Sequence, residues 1–185
     1  MIKFPMGPMI KAIREELGIT MEDLIDISMD KSTLSRIEAG SNAPSQEKLE
    51  FILEKLGISL NSSSYLFLTT RMMECQELRD NLDKHLINCD IENAKKAIEE
   101  LEKNENFKKT RINQQYLLAA SASLSSILNE NPLDIIEKLN EAMRCTHKNF
   151  NEQLIENAFL SKSEFRIILL IASQYSLLYE FRTCN

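Results

Sequence analysis

Every glycine in this chain of 185 residues falls at position 7, 18, 40 or 57, and beyond Gly57 the sole proline is Pro132. Sheets and tight turns ordinarily draw on both residue types, glycine for left-handed backbone and proline for fixed bends. A long stretch without either predicts an all-α chain. Its 43% hydrophobic and 27% charged residues are those of a globular protein with a core, neither disordered nor membrane-embedded. The longest apolar run, Phe165 to Phe181, is broken by Ser173, Gln174 and Ser176, so no membrane span is expected. The opening "MIKFPMGPMIK" does not read as a secretion signal, and a cytoplasmic location is the expectation.

Catalysis finds little support. The chain has no G-x-G-x-x-G, P-loop, G-x-S-x-G or H-E-x-x-H pattern, and each of those chemistries depends on its local geometry. Cys75, Cys89, Cys145 and Cys184 stand at irregular separations, and His85 and His147 are the only histidines. Metal binding and thiol redox chemistry are not expected, nor is a cofactor; the cysteines are expected to be reduced and packed as small hydrophobes.

The first sixty residues divide into four short helical segments. Met9, Ile10, Ile13 and Leu17 share one helix face that ends at Gly18. Thr20 and Asp23 have capping-box spacing ahead of Leu24, Ile25 and Ile27, which predicts a second helix closing near Ser28. Asp30 can cap a third, with Leu34 and Ile37 facing inward and Lys31, Ser32, Thr33, Ser35 and Arg36 outside, up to Gly40. Ser45 introduces a fourth through Leu49, Ile52, Leu53 and Leu56. The second and third are too close in sequence to pack antiparallel and must cross steeply, a helix-turn-helix. Such a pair places its second helix in the major groove of DNA while the first braces the phosphates.

From Met9 to about Leu60 the order of caps, apolar positions and "SRIEAG" resembles the lambda-repressor-like, XRE-type DNA-binding domain. The resemblance implies that Thr20 meets phosphate, that Lys31, Ser32, Thr33 and Arg36 face the groove with Ser35 on the same outer side, and that Ser41 and Asn42 touch the backbone. It also implies an Arg14–Glu38 ion pair between the first and third helices. The chain departs from the pattern in two places. Met21 stands where the family usually has glutamine and can donate no hydrogen bond. The turn "SMDK" is one residue short, which resembles the Rgg-type branch of bacterial regulators.

Charge opposes a monomeric DNA binder. Residues 1 to 60 carry five lysines and two arginines against ten acids, a net of −3. Affinity for DNA comes largely from cations displacing counterions, so this segment must concentrate its few positives and gain from a second half-site in a homodimer.

After the polar break Asn61 to Ser64 the pattern turns to longer helices: Tyr65 to Ile87, Ile91 to Leu101, Phe107 to Asn129, Pro132 to Cys145, and Lys162 to Arg182. "DIENAKKAIEEL" and "NPLDIIEKLNEA" start 41 residues apart, and "LLAAS" matches "LLIAS" at an offset of 52. Alanines 94, 97, 119, 120, 122 and 172 are the small residues expected to let these helices pack closely. The pairs resemble divergent tetratricopeptide-type repeats. The expected organisation is a helix-turn-helix domain over residues 1–61 and a short repeat array over 62–185.

Together these parts resemble the Rgg/PlcR group of regulators, whose repeats bind short signalling peptides on a concave face and whose members are dimers. If the first helix of each pair lines that face, as in tetratricopeptide arrays, Arg111, Asn113, Gln114 and Arg166 are the candidate peptide contacts. The last helix is apolar around most of its circumference and lacks the short partner of the earlier pairs. It is expected to be covered by a second protomer, or to belong to a shortened family member. The reading that follows is a transcriptional regulator acting on double-stranded DNA; the alternative is a protein-interaction adaptor that forms mixed dimers without regulating DNA itself.

Overall fold

The computed structural model describes residues 6–25, 29–58, 70–147, 150–151 and 159–183. Their regular elements are eight α-helices and two short 3-10 turns, as expected of an all-α chain. The helices are α1 (Gly7–Glu16), α2 (Lys31–Glu38), α3 (Gln46–Lys55), α4 (Thr70–Ile87), α5 (Ile91–Lys103), α6 (Arg111–Ile127), α7 (Pro132–Arg144) and α8 (Lys162–Thr183). The break at Asn61 to Ser64 and the expected helix start at Tyr65 lie outside the described residues.

Helices α1 to α3 form a head around Ile10, Leu24, Leu34, Ile37 and Ile52, all without solvent exposure. Side-chain caps set two of their starts: Asp30 accepts from the Thr33 amide and Ser45 from the Lys48 amide. Gly7 permits the close approach of α1 to α2, because a Cβ there would stand 2.0 Å from the Ile37 carbonyl oxygen. The expected α1 face is corrected. Ile10 is buried and Ile13 partly so, but Met9 and Leu17 are exposed and Arg14 turns inward.

The expected second helix is also corrected. The Thr20–Asp23 capping box closes, yet only one 3-10 turn follows, Glu22–Leu24, and Ile25 is already extended at ψ 151°. One turn nucleates without propagating, since the β-branched Ile25 that follows favours extended backbone over helix. Residues 26–28 lie outside the described set.

In the array, α4 packs on α5, α5 on α6, α6 on α7 and α7 on α8, while α6 also touches α4 and α8. Helices α4, α6 and α8 therefore stack as one layer, with α5 and α7 behind them. One core gathers Leu82, Leu101 and Phe107, another Ile135, Leu139 and Ile171. Five of the six alanines lie within these cores or against them; Ala172 is exposed. The sixth helix begins later than expected: Phe107–Lys109 is a 3-10 turn, and Thr110 caps α6 by accepting from the Asn113 amide.

The missing glycines have local substitutes. Cys89 and Asn129 adopt left-handed backbone, φ 53° and 54°, just past the ends of α4 and α6. Asp90 and Glu130 then donate back to the His85 and Ser125 carbonyls, closing each helix as a glycine would. Cys89 is thus exposed, not packed as expected; Cys75 is buried, Cys145 half-buried, and Cys184 lies outside the described residues.

Head and array are joined through α3. Ile112 of α6 belongs to the head's core, and Phe159 packs against it. Lys55 of α3 reaches Glu164 of α8, the Ser163 amide donates to Glu54, and Arg111 stands 3.7 Å from Glu47.

Candidate nucleic-acid interface

Local chemistry holds α2 in place. The Asp30 carboxylate accepts from the Thr33 amide at 2.7 Å and the Ser32 hydroxyl at 2.9 Å. Those bonds, the Thr33 amide first, hold its carboxyl below the usual carboxylate range. Leu34 and Ile37 are fully buried, which fixes the helix's rotation and sends Lys31, Ser32, Ser35 and Arg36 to the solvent, with Thr33 half-buried. Ser41 and Asn42 follow on the surface; their amides, and the Ser41 hydroxyl, donate to the Arg36 carbonyl. Thr20 is exposed, its hydroxyl donating to Asp23 at 2.6 Å. The eight residues proposed for DNA thus all lie on the surface or at its edge, around α2 and the turns beside it.

Two observations qualify that surface. Lys31 is paired with Glu22, both about 60% exposed, and this bond is the main reason the Glu22 carboxyl lies below its usual range. Met21, the departure from the family pattern, packs against the head's core.

Behind the interface, α1 and α2 are clamped by the ion pair implied by the resemblance. Arg14 donates from Nε to Glu38 at 2.6 Å and from Nη2 at 3.1 Å, and its Nη1 holds the Ile19 carbonyl at 3.0 Å. Both side chains are under 10% exposed, so the pair is buried as well as bidentate. The bond to Glu38 raises the guanidinium's already high pKa, against the effect of burial.

A second surface lies on the α4, α6 and α8 layer. A groove of about 460 Å³ runs between these helices, with Arg79, Asp83, Tyr116 and Arg166 at its polar edge and Leu86, Ile127 and Leu170 among its apolar walls. Of the four candidate peptide contacts only Arg166 lines it. Asn113 is fully buried, donating to the Phe107 carbonyl at 2.7 Å and accepting from Arg79. Gln114 faces outward and donates to the Lys108 carbonyl, and Arg111 turns toward Glu47. Helices α4, α6 and α8 all line this groove, with α6 turned so that Ile112, Gln115, Tyr116 and Ala119 face it.

Sequence reasoning missed Arg79, Asp83, Gln115 and Tyr116. The Tyr116 hydroxyl lies 2.8 Å from Asp83 Oδ1 and 2.9 Å from the Arg79 carbonyl oxygen, two acceptors for its one proton; burial, then the Asp83 charge, pushes its pKa far up. The Arg79 guanidinium lies 5.4 Å from the Tyr116 ring centre and 6.0 Å from that of Phe107. The spacing of Arg79, Asp83 and Leu86 on one face of α4 was the available signal.

The geometry defines a class: an all-helical protein with a small helical head on an α-helical array. Residues 10–62 match the family model described as Helix-turn-helix, and the chain thus carries that domain at its N-terminal end. No curated protein matches the chain. Among solved structures, Bacillus thuringiensis PlcR, crystallised with the peptide PapR7 and DNA, is similar over 99% of this chain at 22% identity, with a TM-score of 0.47. The chain spans 61% of that protein's length. Rgg2, the SHP pheromone receptor of Streptococcus dysgalactiae, is similar over 96% of this chain and 73% of its own, at 16% identity and a TM-score of 0.30. No described helix is long and apolar enough to cross a membrane.

Proposed function

We propose that the protein is a cytoplasmic, dimeric, sequence-specific DNA-binding transcription regulator whose groove takes a short signalling peptide. The observation that carries the DNA reading is α2: within the matched segment, Asp30 fixes its start, Leu34 and Ile37 fix its rotation, and Lys31 to Arg36 form its outward face. Polar side chains at the start of such a helix can reach base edges, and Arg36 can take a guanine or a phosphate. Thr20, Ser41 and Asn42 flank the helix and suit phosphate contacts. The peptide reading is supported by a groove with apolar walls and a few polar groups at its edge. Ligand there would bias how two heads are held, and so their joint affinity for an operator.

Random-site selection with the purified protein tests the DNA reading. A defined site should emerge, its binding should weaken steeply with salt, and Arg36→Ala should alter the preferred bases. An unchanged preference in that variant would overturn the assignment of α2.

The net charge of −3 in the first sixty residues and the Lys31–Glu22 pair favour a second reading, an adaptor that acts through mixed dimers without regulating DNA. No measurable binding to DNA of any sequence, even at low salt, would select it.

A further inference from the structure

Where the groove meets the head, it opens into a recess of about 200 Å³ walled by Glu50 and Glu54 of α3, Asp80 and Asp83 of α4, and Arg166 of α8. Arg79, Tyr116 and Arg166 line both spaces, so groove and recess are continuous. Most acidic groups here are already engaged. Glu54 accepts from the Ser163 amide, Asp80 from Gln76 and Asp83 from Tyr116. Glu50 differs: it is 5% exposed, its Oε1 accepts from Gln46 at 2.9 Å, and its Oε2 is buried with no hydrogen-bond partner among the described residues. A buried carboxylate oxygen left without a donor costs free energy that a bound donor would recover.

We infer that this recess binds a primary ammonium through Glu50 Oε2, anchoring one end of a peptide whose apolar side chains lie in the adjoining groove. The inference rests on the peptide reading above. An ammonium presents three donors on one compact charge, which suits a lone carboxylate oxygen in a narrow space. No three His, Cys, Asp or Glu among the described residues are placed to hold a metal ion. The lining carboxylates Glu50, Glu54, Asp80 and Asp83 outnumber the cations Arg79, Lys162 and Arg166 by one, and Glu50 alone among them has a buried oxygen without a donor. Glu50 belongs to the helix-turn-helix head, so an ammonium seated there touches the head directly, and the peptide acquires a direction along the groove.

The test is panning of the full chain on an array of random hexapeptides, each made with a free amine, N-acetylated, and N-acetylated with lysine first. Retained hexapeptides should weaken at least tenfold on acetylation, and Glu50→Gln should lower the free-amine form to the acetylated level. Rescue by the leading lysine assigns the ammonium to a side chain; no rescue assigns it to the peptide terminus. Equal retention of free and acetylated forms overturns the inference while leaving the peptide groove standing. Retention of no hexapeptide in any form overturns the peptide groove itself. Should Glu50→Gln lose its helical circular dichroism, the acetylation comparison on the unaltered chain still decides.

Discussion

Lys55 of α3 donates to Glu164 of α8 at 2.7 Å, and both side chains are no more than 3% exposed. The ammonium also holds the Phe159 carbonyl at 2.8 Å, while Glu164 accepts from the Thr146 hydroxyl and the Ser161 amide. Such a pair gains little over well-packed apolar residues, but losing one member strands the other charge. Lys55→Met should cost about 3–5 kcal/mol, and the double change Lys55→Met with Glu164→Leu should cost less than that single change. Thermal unfolding followed by circular dichroism measures both; a single variant milder than the double would contradict the buried pair.

Glu164 also sets a response to acid. Burial pushes its carboxyl up, but the His147 hydrogen bond and the Lys55 charge outweigh that and hold it well below the usual carboxylate range. A carboxyl depressed in the folded state contributes stability that is complete above its unfolded pKa of about 4.3 and lost as pH falls below it. Stability should therefore decline below about pH 5, and Glu164→Gln, weaker at neutral pH, should decline less. Denaturant midpoints between pH 7 and 3 provide the check.

Two backbone positions should respond in opposite directions. Gly7→Ala drives a methyl into the Ile37 carbonyl and should destabilise the head by about 3 kcal/mol. Cys89→Gly relieves left-handed backbone at an exposed helix end and should add about 1 kcal/mol, or about 3 °C in Tm. A drop in Tm for Cys89→Gly would mean that the thiol is needed there.

Phe165 and Leu169, both 54% exposed, lie one turn apart on α8 and give the proposed dimer its apolar face. Sedimentation at micromolar concentration should show a dimer that Leu169→Glu reduces to monomer with its helicity intact. A monomer for the unaltered chain would remove α8 as the contact.

What the sequence disclosed depended on distance along the chain. Asp30, Ser45 and Pro132 act within one helical turn, and their helices begin where those residues placed them. Apolar positions three and four residues apart likewise located the faces of α2 and α3. The second helix failed because capping signals promise a start and say nothing of propagation past Ile25. Asn113 failed for a different reason: its partners, Phe107 and Arg79, fix α6's rotation and are set by the 3-10 turn and by α4. Nothing local marks Lys55 for burial, because its partner Glu164 lies far along the chain, and Glu50 gave no sign that one of its oxygens would be enclosed.

Ile112 lends its side chain to a hydrophobic centre otherwise built from the first sixty residues. Removing the array would uncover that centre, so the head does not keep an intact interior alone. Heating should accordingly give a single calorimetric peak, with the temperature at which the DNA-facing helix melts tied to the integrity of helices that never approach DNA.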